Sequence, residues 1–190
     1  MKKITLFLFA CVALAGVSKH AMAQDAETMK KWTDYMTPGE MHKILSAMDG
    51  KWTDEVTVWM DPSQPPTKST ATTENKMILG GRYQQSNVTG SFNGAPYESE
   101  SIMGYDNMKK VFTGSWVDNM GTGVMSLEGP YDVATRTITL MGKEVDPMSG
   151  KEYKVRETIT ILDNNTQLVD MYSTTDEKEH KMMEIKVKRM

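Results

Sequence analysis

The sequence predicts an all-β fold: an antiparallel up-and-down β-barrel of about ten strands, preceded by a short N-terminal helical segment. Three observations predict it. Runs of about six to ten residues with strand composition follow one another from Lys51 to Arg189. The connections between them are short, which forces neighbouring strands to be antiparallel, because parallel strands need long crossovers. Within the runs, side chains alternate in polarity, as in Trp52, Val56 and Val58 against Lys51, Thr53, Glu55 and Thr57. So many antiparallel strands must form two packed sheets or close on themselves, and closure removes the exposed edges.

Three segments are expected along the chain. Met1-Lys2-Lys3 is positive, Ile4 to Val17 is almost wholly apolar, and Ala21-Met22-Ala23 is a small-residue pattern. Together these describe a cleaved secretory signal over residues 1–23, too short and wrongly flanked for a transmembrane helix. The expected localisation is therefore exported, periplasmic or extracellular. Cys11 follows Leu8-Phe9-Ala10, and bulky Phe9 does not suit a lipid-acylation site. Removing residues 1–23 takes away the sole cysteine and three lysines, leaving nineteen basic against twenty-five acidic side chains, a net charge of −6. Thiol and disulfide chemistry are excluded from the remainder, and an acidic balance without a basic cluster argues against nucleic acid as a partner.

Residues 24–48 read as helical in two pieces. Met29, Trp32 and Met36 recur at helical spacing, and Thr37-Pro38-Gly39-Glu40 reads as a second start, with Thr37 as N-cap, Pro38 first in the helix and Glu40 reaching back. Met41, Ile44, Leu45 and Met48 form the stripe of this second helix, which is expected to close one end of the barrel over residues 49–190.

Asp49-Gly50 turns the chain into the first strand. The loop Asp61-Pro62-Ser63-Gln64-Pro65-Pro66 leads to Thr67–Leu79, Gly80-Gly81 to Arg82–Ser91, and Asn93-Gly94 to Tyr97–Tyr105. Val111–Asp118, Gly123–Gly129, Arg136–Glu144, Glu152–Leu162, Gln167–Tyr172 and Lys181–Arg189 complete the ten. Tyr105-Asp106 before Lys109-Lys110 echoes Tyr131-Asp132 before Arg136, each Asp being placed to hydrogen-bond its own turn backbone.

Gly50 and Trp52 open the first strand and Arg189 ends the last. If those strands pair, the guanidinium stacks on the indole and its stem covers the ring, forming a structural clasp of Gly50, Trp52 and Arg189. Gly-x-Trp together with a terminal arginine resembles the calycin superfamily, the lipocalin-like barrels, across residues 49–190. The blocks Glu74–Tyr83, Gly104–Asn107, Trp116–Gly123 and Asp146–Lys151 resemble a secreted bacterial family known only as domain-of-unknown-function family fifteen-seventy-nine. That resemblance implies a fold and no assigned activity, so no catalytic residues carry over.

Chemistry-bearing sets are sparse. His180-Lys181-Met182-Met183 invites copper(I), but Met182 and Met183 alternate across a strand, and the abundant methionines are read as core filling. His42 and His180 are read as solvated surface residues rather than haem ligands. Asp106-Asn107, Asp118-Asn119 and Asp163-Asn164-Asn165 lack the spacing of a calcium loop and are ordinary turns. No zinc spacing and no nucleophile–base–acid set occurs. The expected complement is thus no metal, no cofactor and no catalytic residue.

Strands two to four are polar on both faces, whereas the later strands carry Phe112, Trp116, Met125, Leu127, Ile138, Leu140, Val155, Ile159 and Ile161. The predicted interior is polar on one wall and apolar on the other. A small amphipathic molecule is its expected occupant, with the Trp116–Gly123 hairpin at the mouth. The candidate ligand-contact residues are Tyr83, Trp116, Asp118, Gly121, Thr122 and Gly123. Two alternatives compete: a structural or interaction barrel filled by its own side chains, and an enzyme using Asp118 or Glu157 with Arg156. Arg156 and Glu157 face opposite sides of one strand, which counts against the second. Sequence leaves the oligomeric state open.

Overall fold

The computed structural model describes residues 24–60 and 64–190; the expected signal segment, 1–23, lies outside the described residues. The chain divides into two units at Thr37/Pro38. In the first, a helix α1 covers residues 24–36, laced by Lys30–Asp34 and Lys31–Glu27 pairs one turn apart. Its stripe of Met29, Trp32 and Met36 is exposed.

The second unit opens with helix α2, Glu40–Ala47, and continues as eleven strands: β1 Gly50–Val58, β2 Thr67–Ile78, β3 Tyr83–Phe92, β4 Ala95–Asp106, β5 Val111–Asp118, β6 Met125–Gly129, β7 Tyr131–Asp132, β8 Thr137–Val145, β9 Glu152–Asp163, β10 Thr166–Thr175 and β11 Lys178–Arg189. Each pairs antiparallel with its chain neighbours except across the two-residue β7. β1 pairs with β11, and β6 with β8, closing a barrel of ten strands. The expected architecture is therefore the observed one, with β7 as a short addition on the edge of β8.

Turn chemistry positions the hairpins as expected. Asp106 Oδ1 accepts the amides of Met108 and Lys109, Asp132 Oδ1 those of Ala134 and Thr135, and Lys110 and Arg136 both take positive φ. These aspartates serve their own turns, and no cluster of three His, Cys, Asp or Glu side chains suited to a metal occurs among the described residues. Three expectations need correction. The last hairpin is tighter than the gap expected between Tyr172 and Lys181, because Asp176 and Glu177 turn the chain alone, both at positive φ. Helix α2 is capped by Gly39, not Thr37: the Thr37 hydroxyl donates to Thr33 O, while the Gly39 amide donates to His42 Nδ1 at 3.0 Å. His42 is accordingly buried rather than solvated, edge-on to Tyr105, and burial lowers its pKa.

The core lies at the α2 end. Leu45 and Met48 from the helix pack with Trp52, Phe112, Ile138 and Leu140. The helix ends there with carbonyls that need donors, and barrel side chains supply them. Trp52 Nε1 and Asn75 Nδ2 both donate to Met48 O at 2.9 and 3.0 Å, Gln84 Nε2 to Leu45 O, and Arg189 Nη2 to Ala47 O at 2.7 Å. Arg189 also donates to Asp49 O and Asn164 O, and its guanidinium carbon stands 4.1 Å from the centre of the Trp52 ring. Trp52 and Arg189 are direct partners across β1 and β11. Gly50 completes the clasp: its φ is +116°, and a Cβ there would sit 3.0 Å from Arg189 Nη1.

The opposite seam is thinner. β6 and β8 pair only through Leu127↔Gly142 and Glu128↔Met141. A Cβ on Gly129 would run into the Thr139 carbonyl, and one on Gly142 into the Ser126 carbonyl, so two missing side chains let these backbones meet.

Two predictions follow from these contacts. Trp52→Ala should cost about 3–5 kcal/mol in denaturant unfolding and Arg189→Ala less, with the double variant falling short of the sum by about 0.5 kcal/mol or more. Strictly additive losses would contradict the clasp. Gly142→Ala should destabilise the fold by about 1–3 kcal/mol and speed amide exchange at Leu127 and Glu128. Gly114→Ala, whose Cβ would meet only Leu140 Cδ1 at an ordinary 3.7 Å, should change little.

Candidate functional site

Strand parity defines the inward face. From β1 it carries Trp52, Asp54, Val56 and Val58, and the register passes this face to Thr73, Ala71, Ser69 and Thr67 on β2, then to Ser86, Val88 and Gly90 on β3 and to Tyr97, Ser99 and Ser101 on β4. Phe112, Gly114, Trp116 and Asp118 follow on β5. On the other side, β8 to β11 contribute Ile138, Leu140, Val155, Glu157, Ile159, Val169, Met171, Ile185 and Val187. The wall is thus polar on β2–β4 and apolar on β8–β11, as the sequence predicted.

Burial along this face changes from one end to the other. Near α2 the inward residues Trp52, Gln84, Phe112, Ile138 and Leu140 are buried. Toward the other end Val56, Ser69, Ser86, Val88, Ser101, Trp116, Met125, Glu157, Val169, Met171 and Ile185 also point inward, yet all keep some accessible surface. These side chains line a partly accessible stretch of the lumen, the cup, away from α2, in which Ser99 and Val155 are nonetheless buried.

Two carboxylates face the lumen. Asp54 is 4% exposed; Oδ2 accepts a hydrogen bond from the Thr73 hydroxyl, and Oδ1 has no partner in the protein. Burial outweighs that hydrogen bond and pushes its pKa up to about 6. Glu157, between Val155 and Ile159 on the apolar wall, is raised to about 7 by desolvation. Arg156, next to it, faces outward, stacked 3.9 Å from the Tyr172 ring and paired twice with Glu179, so no Arg156–Glu157 site exists. Asn75 Oδ1 is likewise buried without a partner, and the Ser99 hydroxyl is buried beside the Tyr97 side chain. Asp54 and Ser99 were missed by sequence reasoning, although the alternation that places Trp52 and Val56 inside requires Asp54 to be inside too.

The expected contact residues divide. Trp116 faces the lumen, and its Nε1 donates to Asp118 Oδ2 at 3.3 Å. Tyr97 lies beside them, its hydroxyl raised by burial. Gly121, Thr122 and Gly123 are exposed in the β5–β6 loop, where Asp118 Oδ1 accepts the amides of Met120 and Gly121. Tyr83 does not belong with them. It sits at the α2 end on the outer face, its ring covering Gly104, because its parity is opposite to that of buried Gln84. His180 is exposed at the rim within β11 rather than in a turn. The methionines are only in part core filling: Met48, Met77, Met103, Met125 and Met171 pack inside, whereas Met60, Met108, Met120 and Met148 are exposed.

A concavity of about 250 Å³ lies at the α2 end, where Ile44 and Met48 meet the inward-facing Trp52, Ile161 and Gln167, with Lys43, Arg136 and Asn164 also lining it. Lys43 there is paired with Glu40, and Arg136 donates to Leu162 O, so its cations are already engaged. The buried acceptors without a partner, Asp54 Oδ1 and Asn75 Oδ1, do not line this concavity.

Among solved structures, the crystal structure of Rv2717c from M. tuberculosis matches with a TM-score of 0.61 at 12% identity, covering 81% of this chain and 99% of that one, a likeness of fold alone. No curated protein matches the sequence. A family model described as "Protein of unknown function (DUF1579)" matches residues 37–189, which takes in α2 and every strand of the barrel, and the chain belongs to that family.

Proposed function

We propose that this protein is an exported binding module that holds a small amphipathic molecule in the open half of its barrel. The observation that carries the reading is the partial exposure of inward side chains away from α2: apolar Val169, Met171 and Ile185 on β10 and β11, and polar Ser69, Ser86 and Ser101 on β2 to β4, all keep accessible surface. Such a cup suits a molecule with an apolar body and a polar end. Trp116 offers a flat face beside the mouth. Export rests on the charged start, apolar run and Ala-x-Ala pattern of residues 1–23. No helix among the described residues is long and apolar enough to cross a membrane.

The carboxylates support a binding role because they weaken the fold that contains them. A barrel selected only for stability would place apolar or paired groups at these positions.

Mass spectrometry of gently purified protein, before and after organic extraction, should detect a co-purifying compound of amphipathic character. Val88→Trp, which fills the cup from the middle of β3, should abolish its retention while leaving the circular dichroism spectrum unchanged. No compound, together with no binding from a panel of lipids and small metabolites, would favour the filled structural barrel instead.

Stability should also depend on pH in a defined direction. Asp54 and Glu157 have folded pKa values of about 6 and about 7, above the ordinary 3.8 and 4.5. Their favourable contribution is complete below the unfolded values and is lost as pH rises through the folded ones. The unfolding free energy should therefore increase by about 1–3 kcal/mol between roughly pH 8 and pH 5. Asp54→Asn with Glu157→Gln should remove that rise; an unchanged profile in the double variant would show that other groups cause it.

A further inference from the structure

Building on the reading of the cup as a binding site, we infer that its ligand carries a protonated amine or similar organic cation, seated at Asp54 and Glu157 with its apolar body against β9–β11. The argument begins with charge. Asp54 and Glu157 both face the lumen, on β1 and β9, and neither has a basic partner. Below the exposed rim the inward face has one basic side chain among the described residues, Arg189. Its guanidinium lies at the α2 end, committed to the carbonyls of Ala47, Asp49 and Asn164. The lumen thus has acidic groups and no available cation of its own.

The hydrogen-bond inventory points the same way. Asp54 Oδ1 is a buried acceptor without a donor, Asn75 Oδ1 is another nearer α2, and Ser99, 5% exposed, lies beside the Tyr97 side chain. These groups belong to β1, β2 and β4, on the polar wall. A ligand completing this set must bring donors, and one completing the charge must bring a positive centre; an ammonium group does both. A carboxylate or phosphate head would meet two acids and spare acceptors, with repulsion from each. On the adjoining strands β11 and β10, Val187, Ile185, Val169 and Met171 offer a continuous apolar face for an alkyl or aryl body. Glu157 lies on this side, two inward positions nearer the mouth than Ile161, the β9 residue on the register row that runs from Asp54 through Val187 and Gln167. The two acids therefore flank the path inward rather than sharing one point.

Isothermal titration of the purified protein with n-octylammonium, n-octanol and octanoate, ligands of one chain length and three head groups, tests this directly. Octylammonium should bind on the order of tenfold or more tightly than n-octanol, and octanoate the most weakly. In Asp54→Asn with Glu157→Gln the preference for the amine should collapse to about twofold or less while n-octanol affinity is kept, which also reports an intact cup. Should that variant fail to fold, Glu157→Gln alone must lower the preference by about threefold or more. Equal or tighter binding of n-octanol or octanoate would overturn the cation and leave the binding module standing. A preference that survives the double substitution would place amine binding on the acidic exterior and overturn the inference as well. Binding of none of the three would overturn both this inference and the reading on which it rests.

Discussion

The C-terminus of α2 is the constraint on which the rest of this structure depends. A helix that ends inside a barrel presents carbonyl oxygens to an apolar core, and leaving them unpaired would cost about 1–3 kcal/mol each. Four side chains from four strands, Trp52, Asn75, Gln84 and Arg189, donate to those carbonyls. Asp49, just past the helix, returns the favour by accepting from Gln84 Nε2 and from the Met77 amide. This arrangement fixes the helix as a plug, sets the register of β1 against both β2 and β11, and decides which end of the barrel carries the packed core. The plug leaves a concavity of about 250 Å³ beside it, between Ile44, Trp52 and Gln167.

The two seams of the barrel divide the work unequally. The β1–β11 seam is long, paired from Trp52 to Val58, and reinforced at its end by the indole–guanidinium stack. The β6–β8 seam relies on backbone approach at Gly129 and Gly142. A tryptophan and an arginine hold by burial and hydrogen bonding, whereas glycines hold by leaving room. Local opening is accordingly expected to begin at β6, next to the mouth loop, rather than at the termini.

Much of this fold was legible in the sequence because its signals are local. Alternation at Trp52, Val56 and Val58, the Asn93-Gly94 turn and the paired Asp106 and Asp132 turns each depend on residues within a few positions of one another. The clasp was legible too, since Trp52 and Arg189 mark the two ends of a closed meander. What could not be read were the consequences of distant pairing. Gln84 and Asn75 look like ordinary polar strand residues until β3 and β2 bring them under α2. Tyr83 looks like a lumen aromatic, but buried Gln84 fixes the parity of β3 and turns Tyr83 outward. His42 was misjudged because its ring nitrogen caps the Gly39 amide, a use that only the fold reveals. Asp54 is different: the alternation already placed it inside, and its charge is what argued for the surface. An acid inside a barrel breaks the local rule, and such exceptions are where function is to be sought.

The central claim is that the half of the lumen away from α2 is a ligand-accessible cup, while Leu45, Phe112, Ile138 and Leu140 beneath α2 are a packed core. Methyl-resolved NMR during titration with n-octylammonium tests it most directly. The account predicts shifts at Val56, Val88, Val169, Met171 and Ile185, with Leu45, Ile138 and Leu140 unmoved. Shifts confined to exposed methyls such as Val133, Met148 and Leu162, or spread equally through both halves, would contradict it.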